Sequence, residues 1–223
     1  MNHSEIIKLE RIPPQVEYNN VNIVGWGGSG QTYLIRFFKN VLELETNNIS
    51  GFDGLKHGHF GILKKQKNRY VCIDYEKMKS SVNFYVYTHP VLMIQSHFRR
   101  RWQNLQSLRM TGVKQYMPNT LEEYTEIVIS EKRDLFMLKS HYESWKNCPN
   151  FIPIEIGDIS KYTKQLSHLL GVDVSLLQKI KIKPRNSTID EKNENYNEFY
   201  DNIYNQIRKD ANKILEKTLV CNS

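Results

Sequence analysis

The run Gly25-Trp26-Gly27-Gly28-Ser29-Gly30-Gln31-Thr32 constrains this chain more than any other segment. Just before it, Val21-Asn22-Ile23-Val24 is a short apolar stretch that stops at a glycine, as a buried strand does. Just after it, Tyr33, Leu34, Phe37, Phe38, Val41 and Leu42 fall on one face of a helix expected over 32–44. Strand, glycine turn and helix make the first half of a βα unit. In such a turn the glycines let backbone approach an anion closely. Successive N–H groups then point at it, and the helix N-terminus adds a favourable dipole. A hydroxyl at Ser29 or Thr32 can donate one more hydrogen bond.

The rest of the chain continues this alternation. Further strands are expected at 70–73, 84–87 and 151–156, where β-branched and aromatic residues cluster. Pro90 suits a first helical turn and opens a helix carrying Leu92, Met93, Ser96, Phe98 and Trp102. Residues 121–145 read as mostly helical with a break in the middle. Asp158 or Ser160 can cap a helix that runs to Leu170 and stops at Gly171. A closing helix is expected over 195–219. Residues 47–61, 104–120 and 181–189 read as mostly loop. Residues 1–18 form an N-terminal arm ending in Pro13-Pro14, and 19–223 a single domain. Strands alternating with helices argue for a parallel sheet covered by helices.

Composition narrows the class. Hydrophobic residues make up 39% and aromatics 11%, enough for a core, so wholesale disorder is excluded. No apolar run approaches the roughly 20 residues of a membrane helix, and the first residues lack the apolar centre of a signal peptide. A cytoplasmic protein without a membrane span is the expectation. Cys72, Cys148 and Cys221 are widely spaced and odd in number, which argues against a disulfide scaffold or a cysteine zinc site. The net charge of +7 points to a polyanionic partner of some kind.

The glycine turn fits the nucleotide-binding pattern G-x-x-x-x-G-K-[ST] at every position except Gln31, which brings no charge. Gly27 to Leu34 also resembles the phosphosulfate loop P-K-S-G-T-T-W-L of sulfotransferases. Ser29, Gly30, Thr32 and Leu34 match, and Gln31 and Tyr33 stand for Thr and Trp. A second block, Asn83 to Pro90 followed by Ser96, resembles the family's V-Y-V-x-R-N-P…S, and Ser96-His97-Phe98-Arg99-Arg100 resembles its S-x-Y-R-R. Softer likenesses lie at Phe151–Ile159, Leu166–Gly171 and Lys183–Ser187.

The resemblance implies a three-layer P-loop α/β fold with a central parallel sheet flanked by helices. It implies transfer of a sulfuryl group from 3′-phosphoadenosine 5′-phosphosulfate (PAPS) to a hydroxyl or amine of a small-molecule or carbohydrate acceptor, with no metal and no nucleic acid. Gly27, Gly28, Ser29, Gly30, Gln31 and Thr32 would hold the 5′ end of PAPS, with Tyr33 near the adenine. Thr88, Ser96 and Arg185 would hold the 3′-phosphate. Two cations of the family are missing: Gly28 stands where it has Lys, and Thr88 where it has Arg. Thr88 offers one hydroxyl in place of a bidentate guanidinium. Arg99, Arg100 and Arg101 lie on different helix faces, so at most two could turn inward to replace that charge.

Sulfuryl transfer needs a base for the acceptor proton and donors around the sulfuryl oxygens. Leu55-Lys56-His57-Gly58-His59 resembles the family's K-T-H run, with Lys56 on the Lys and the histidine at 57 or 59. Imidazole suits the role because it titrates near neutrality. His-x-His could also start a metal pair, but no third ligand follows at motif spacing. Three other readings stand beside this one. Loss of both cations fits an inactive nucleotide-binding homologue. Asp74, ending an apolar run, fits the magnesium-holding acid of a nucleotide or small-molecule kinase. Nucleic-acid binding rests on +7 and the arginine triplet alone, without a recognised module.

Overall fold

Ser81-Val82-Asn83-Phe84-Tyr85-Val86-Tyr87 is rich in β-branched and aromatic residues, and every one of its side chains is buried. A strand buried on both faces belongs in the middle of a helix-covered parallel sheet, and that is its place. The structure is a computed structural model that describes residues 20–50, 55–60, 64–66, 69–71, 78–112, 115–182, 189 and 193–220. In chain order these form β1 (Asn20–Gly25), α1 (Gln31–Asn40), β2 (Lys64–Gln66), β3 (Arg69–Val71), β4 (Ser81–Tyr87), α2 (Pro90–Arg99), α3 (Gln103–Thr111), α4 (Leu121–Glu131), α5 (Leu138–Lys146), β5 (Phe151–Glu155), a 3₁₀ turn (Ile156–Tyr162), α6 (Thr163–Leu170), α7 (Val174–Leu177) and α8 (Glu194–Val220).

The chain is an α/β protein with a three-stranded parallel sheet in the order β1-β4-β5. Val21, Ile23, Phe84, Val86, Ile152 and Ile154 share one apolar core with α1, α6 and α7. Val24, Tyr85, Tyr87 and Phe151 share the other with α2, α4, α5 and α8. Helices therefore cover both faces of the sheet. All three strands run the same way, so their C-terminal ends open on one edge, where ligands of such sheets bind.

The register of β1 on β4 carries a polar marker inside the core. Asn22 and Asn83 are opposite one another and fully buried, and Asn22 Nδ2 donates to Asn83 Oδ1 at 2.8 Å. Asn83 Nδ2 donates in turn to Met78 O at 3.0 Å and Pro149 O at 2.6 Å. A slip of the pairing would leave these groups buried and unpaired. The outer edge of β1 is closed by Asn47. Its Oδ1 accepts from Ile23 N at 2.8 Å and its Nδ2 donates to Ile23 O at 3.1 Å, as a neighbouring strand would.

Several boundaries differ from the sequence expectations. Helix α1 ends at Asn40 rather than 44, because Glu43 turns through a positive φ of 54° and leads the chain back along β1. The run at 70–73 contributes β3 to an antiparallel ribbon with β2 and does not join the parallel sheet; residues 72 and 73 lie outside the described residues. The break within 121–145 falls between α4 and α5. Neither Asp158 nor Ser160 caps α6, which follows the 3₁₀ turn without a side-chain cap; Asp158 instead pairs with Lys161 at 2.6 Å. Gly171 ends α6 in the left-handed conformation, as expected. The stretch 104–120, expected as loop, contains α3.

Asn83→Leu is expected to lower stability by about 2–4 kcal/mol, because several buried groups lose a partner at about 1–3 kcal/mol each. Urea denaturation of the variant beside wild type measures it, and an unchanged midpoint would remove the pair's role in the register.

Candidate functional site

The glycine loop leaves β1 under tight steric control. Gly25 has φ 133°, and a Cβ there would sit 2.1 Å from Val86 O of β4. Gly30, at φ 92°, is the N-terminal flank of α1, and a Cβ there would press on Ile156 after β5 at 2.9 Å. The loop is thus seated against the C-terminal ends of β4 and β5. Ser29 N donates to Trp26 O at 3.1 Å, and Gln31 Nε2 also donates to Trp26 O. Gln31 is buried and folds back on the loop, so it shapes the turn from inside. Ser29 is fully buried, and its Oγ has no hydrogen-bond partner among the described residues. A buried hydroxyl in that state costs about 1–3 kcal/mol unless a ligand atom satisfies it.

Lys56 brings a cation to this loop from a distant segment. Its Nζ donates to Thr32 Oγ1 at 2.6 Å and to Ile49 O at 2.9 Å, and the residue is only 8% exposed. His57 lies beside it, with Nδ1 3.4 Å from Gly25 O. Burial, and after it the Lys56 ammonium, lower the His57 pKa to about 3. Arg109 of α3 and His97 of α2 act in the same direction, and the contact with Gly25 O opposes them. The ring is therefore neutral near pH 7. His59 takes a different direction: Nε2 meets Ser140 Oγ of α5 at 3.1 Å. Of the two candidate histidines, His57 is the one at the loop.

Helix α5 holds this segment in place. His141 Nε2 donates to His57 O at 3.3 Å, and its Nδ1 accepts from Tyr85 O–H at 2.8 Å. These two bonds assign the tautomer with the proton on Nε2. Trp145 Nε1 donates to Gly58 O at 2.7 Å, and Phe60 N donates to Ser144 Oγ at 3.0 Å. The glycine loop is tied to the same helix, since Trp26 Nε1 donates to Leu138 O at 3.2 Å. Two further side chains close the loop from above: His97 Nε2 donates to Gly27 O at 2.7 Å, and the Gln106 amide lies against Gly27.

The second block sits at the end of β4. Thr88 and Ser96 are both buried, Ser96 on the same side of α2 as Met93 and His97, which face Gly28. His89, next to Thr88, pairs with Asp201 at 2.7 Å. Arg99, Arg100 and Arg101 are all exposed, so none of the triplet turns inward. Tyr33 stacks on Phe37, and its hydroxyl accepts from Lys181 N at 2.9 Å. Arg185 and Asp74 lie outside the described residues. Neither a protein-family model nor a curated protein sequence matches the chain.

Sequence reasoning put Lys56, His57 and His59 beside the loop as candidates, and the structure keeps Lys56 and His57 there while His59 meets Ser140. It missed His97, Gln106, Arg109 and the α5 residues. His97 had a signal in its four-residue spacing from Met93; the others arrive only through tertiary packing.

His57 gives the site a pH signature. The unfolded chain takes up a proton there below about 6.5, and the folded protein does so only near 3. This contribution to stability is complete above about 6.5 and is lost progressively as pH falls toward 3. Asp134, raised to about 6 by burial, acts oppositely below that pH, because it holds a proton in the folded state. His57→Gln should flatten the loss of stability between about pH 6.5 and 4.5 by roughly 2–3 kcal/mol, at 1.36 kcal/mol per unit. Urea midpoints across that range measure the slope, and parallel slopes for variant and wild type would contradict the assignment.

Proposed function

We propose that the chain is a PAPS-dependent sulfotransferase that binds the 5′-phosphosulfate end of its donor on the glycine loop. The observation that carries this reading is Lys56 Nζ on Thr32 Oγ1, in a loop whose buried Ser29 hydroxyl has no partner among the described residues. Lys56 Nζ, held on Thr32 Oγ1 and Ile49 O, places a positive charge where a donor anion on the loop would meet it. Lys56 then supplies the charge that Gln31 and Gly28 lack.

PAPS supplies an activated sulfuryl group. Around it, loop N–H groups and the Ser29 and Thr32 hydroxyls would hold the 5′-phosphate, and Lys56 would face the charge that builds on the sulfuryl oxygens. The new bond joins the acceptor oxygen or nitrogen to sulfur as the bond from sulfur to the phosphate oxygen breaks. The acceptor proton goes to His57. A ring that titrates near 3 is a weak base at neutral pH. Donor charge beside Lys56 would offset the ammonium's effect and raise the ring from its lowered value, while the larger effect of burial stays. Thr88 and Ser96, with Arg185, are assigned to the 3′-phosphate.

The depressed His57 also favours one second reading, a homologue that binds the nucleotide without transferring sulfate. Calorimetric titration with adenosine 3′,5′-bisphosphate tests the shared claim. Lys56→Ala should weaken binding by about 10- to 100-fold, the worth of a hydrogen bond to a charged group. No heat at millimolar bisphosphate would overturn both readings. Transfer of labelled sulfate from PAPS, lost in His57→Ala, separates the enzyme from the silent binder. Magnesium-dependent ATP binding with indifference to the bisphosphate would point to a kinase.

A further inference from the structure

Helix α3 packs with its polar side inward. The residues it buries are Gln103, Gln106, Ser107, Met110 and Thr111. Leu105 and Leu108 are exposed, as is Trp102 at its start, at 47%. The three-residue spacing sets these side chains in one row along the outer face. A surface helix ordinarily shows the reverse arrangement. Tyr116, 70% exposed, follows a few residues on.

The cations lie around the same row. Arg99, Arg100 and Arg101 are exposed at the junction of α2 and α3, and Arg109 is exposed on α3. The Arg100 guanidinium stands 5.4 Å from the Trp102 ring centre. The sequence shows how concentrated this charge is. Residues 99–109 hold four Arg and no Asp or Glu.

We propose that this face of α2 and α3 docks on an anionic lipid bilayer. Trp102, Leu105 and Leu108 enter the boundary between headgroups and acyl chains, and Arg100, Arg101 and Arg109 meet lipid phosphates. Charge complementarity selects an anionic partner. The exposed leucines select lipid over nucleic acid, because aliphatic side chains offer no stacking platform for bases. One row of apolar tips, Trp102, Leu105 and Leu108, is also small beside the roughly 20–30 residues that each partner of a stable protein interface contributes. It is sufficient for reversible attachment to a membrane surface. The docked face adjoins the glycine loop, since Gln106 on the inner side of α3 lies against Gly27.

The test is co-sedimentation of the full chain with vesicles of phosphatidylcholine, alone or with about 30 mol % phosphatidylserine, at about 0.15 M salt. Trp102 also reports directly, because Trp26 and Trp145 are fully buried. Wild type should sediment with the anionic vesicles only, and brominated lipid should quench its emission. Leu105→Ser with Leu108→Ser should weaken binding at least tenfold. Arg100→Gln with Arg101→Gln should weaken it roughly 10- to 30-fold. No sedimentation of wild type, or no quenching, would overturn the proposal. So would binding that survives the leucine changes, or binding to poly(U) as tight as to the anionic vesicles.

Discussion

Strand β4 is paired on both sides in parallel and buried on both faces, and the placement of the glycine loop and Thr88 depends on it. Parallel pairing aligns the C-terminal ends of β1, β4 and β5. The glycine loop, Thr88 and Ile156 consequently share one edge of the sheet. The buried Asn22–Asn83 pair gives that alignment a register. Gly25 can leave β1 only because no Cβ intrudes on Val86 O. The loop's shape is thus a consequence of its neighbours as much as of its own glycines.

The second organising contact is electrostatic. Lys56 approaches the N-terminus of α1 from a segment held by His141, Trp145 and Ser144 of α5. The same helix accepts a hydrogen bond from Trp26 through Leu138 O. One rigid element therefore fixes both halves of the candidate site. The Tyr85 hydroxyl orients His141 and links this clamp to β4. A lysine so placed adds to the effect of burial in lowering the basicity of its neighbour His57. Under the proposed function, anion binding and proton transfer would be coupled through that one ammonium.

What was legible in the sequence was local. Val21 to Gly25, the glycine run and the stripe of Leu34, Phe37 and Phe38 all signal within a few residues, and β1, the loop and α1 appear where that pattern puts them. Helix α3 was hidden because its packed side is polar: Gln103, Gln106 and Ser107 carry no hydrophobic periodicity to read. The antiparallel pairing of β2 and β3 depends on partners that a single β-rich run does not reveal. Lys56 and His57 entered through a family resemblance, and their meeting with Thr32 and Gly25 spans more than 20 residues of chain. The arginine triplet, whose helix position leaves at most two side chains able to turn inward, stays wholly on the surface beside Trp102.

The most direct test of the central claim, that Lys56 completes an anion site on the glycine loop, is a phosphorus NMR titration of adenosine 3′,5′-bisphosphate. The ligand carries two resolved phosphates. The account requires the 5′ resonance to shift on binding, and Lys56→Ala to suppress that shift far more than the 3′ one. A 5′ resonance that does not move, or one that moves equally in the Lys56→Ala variant, would contradict it.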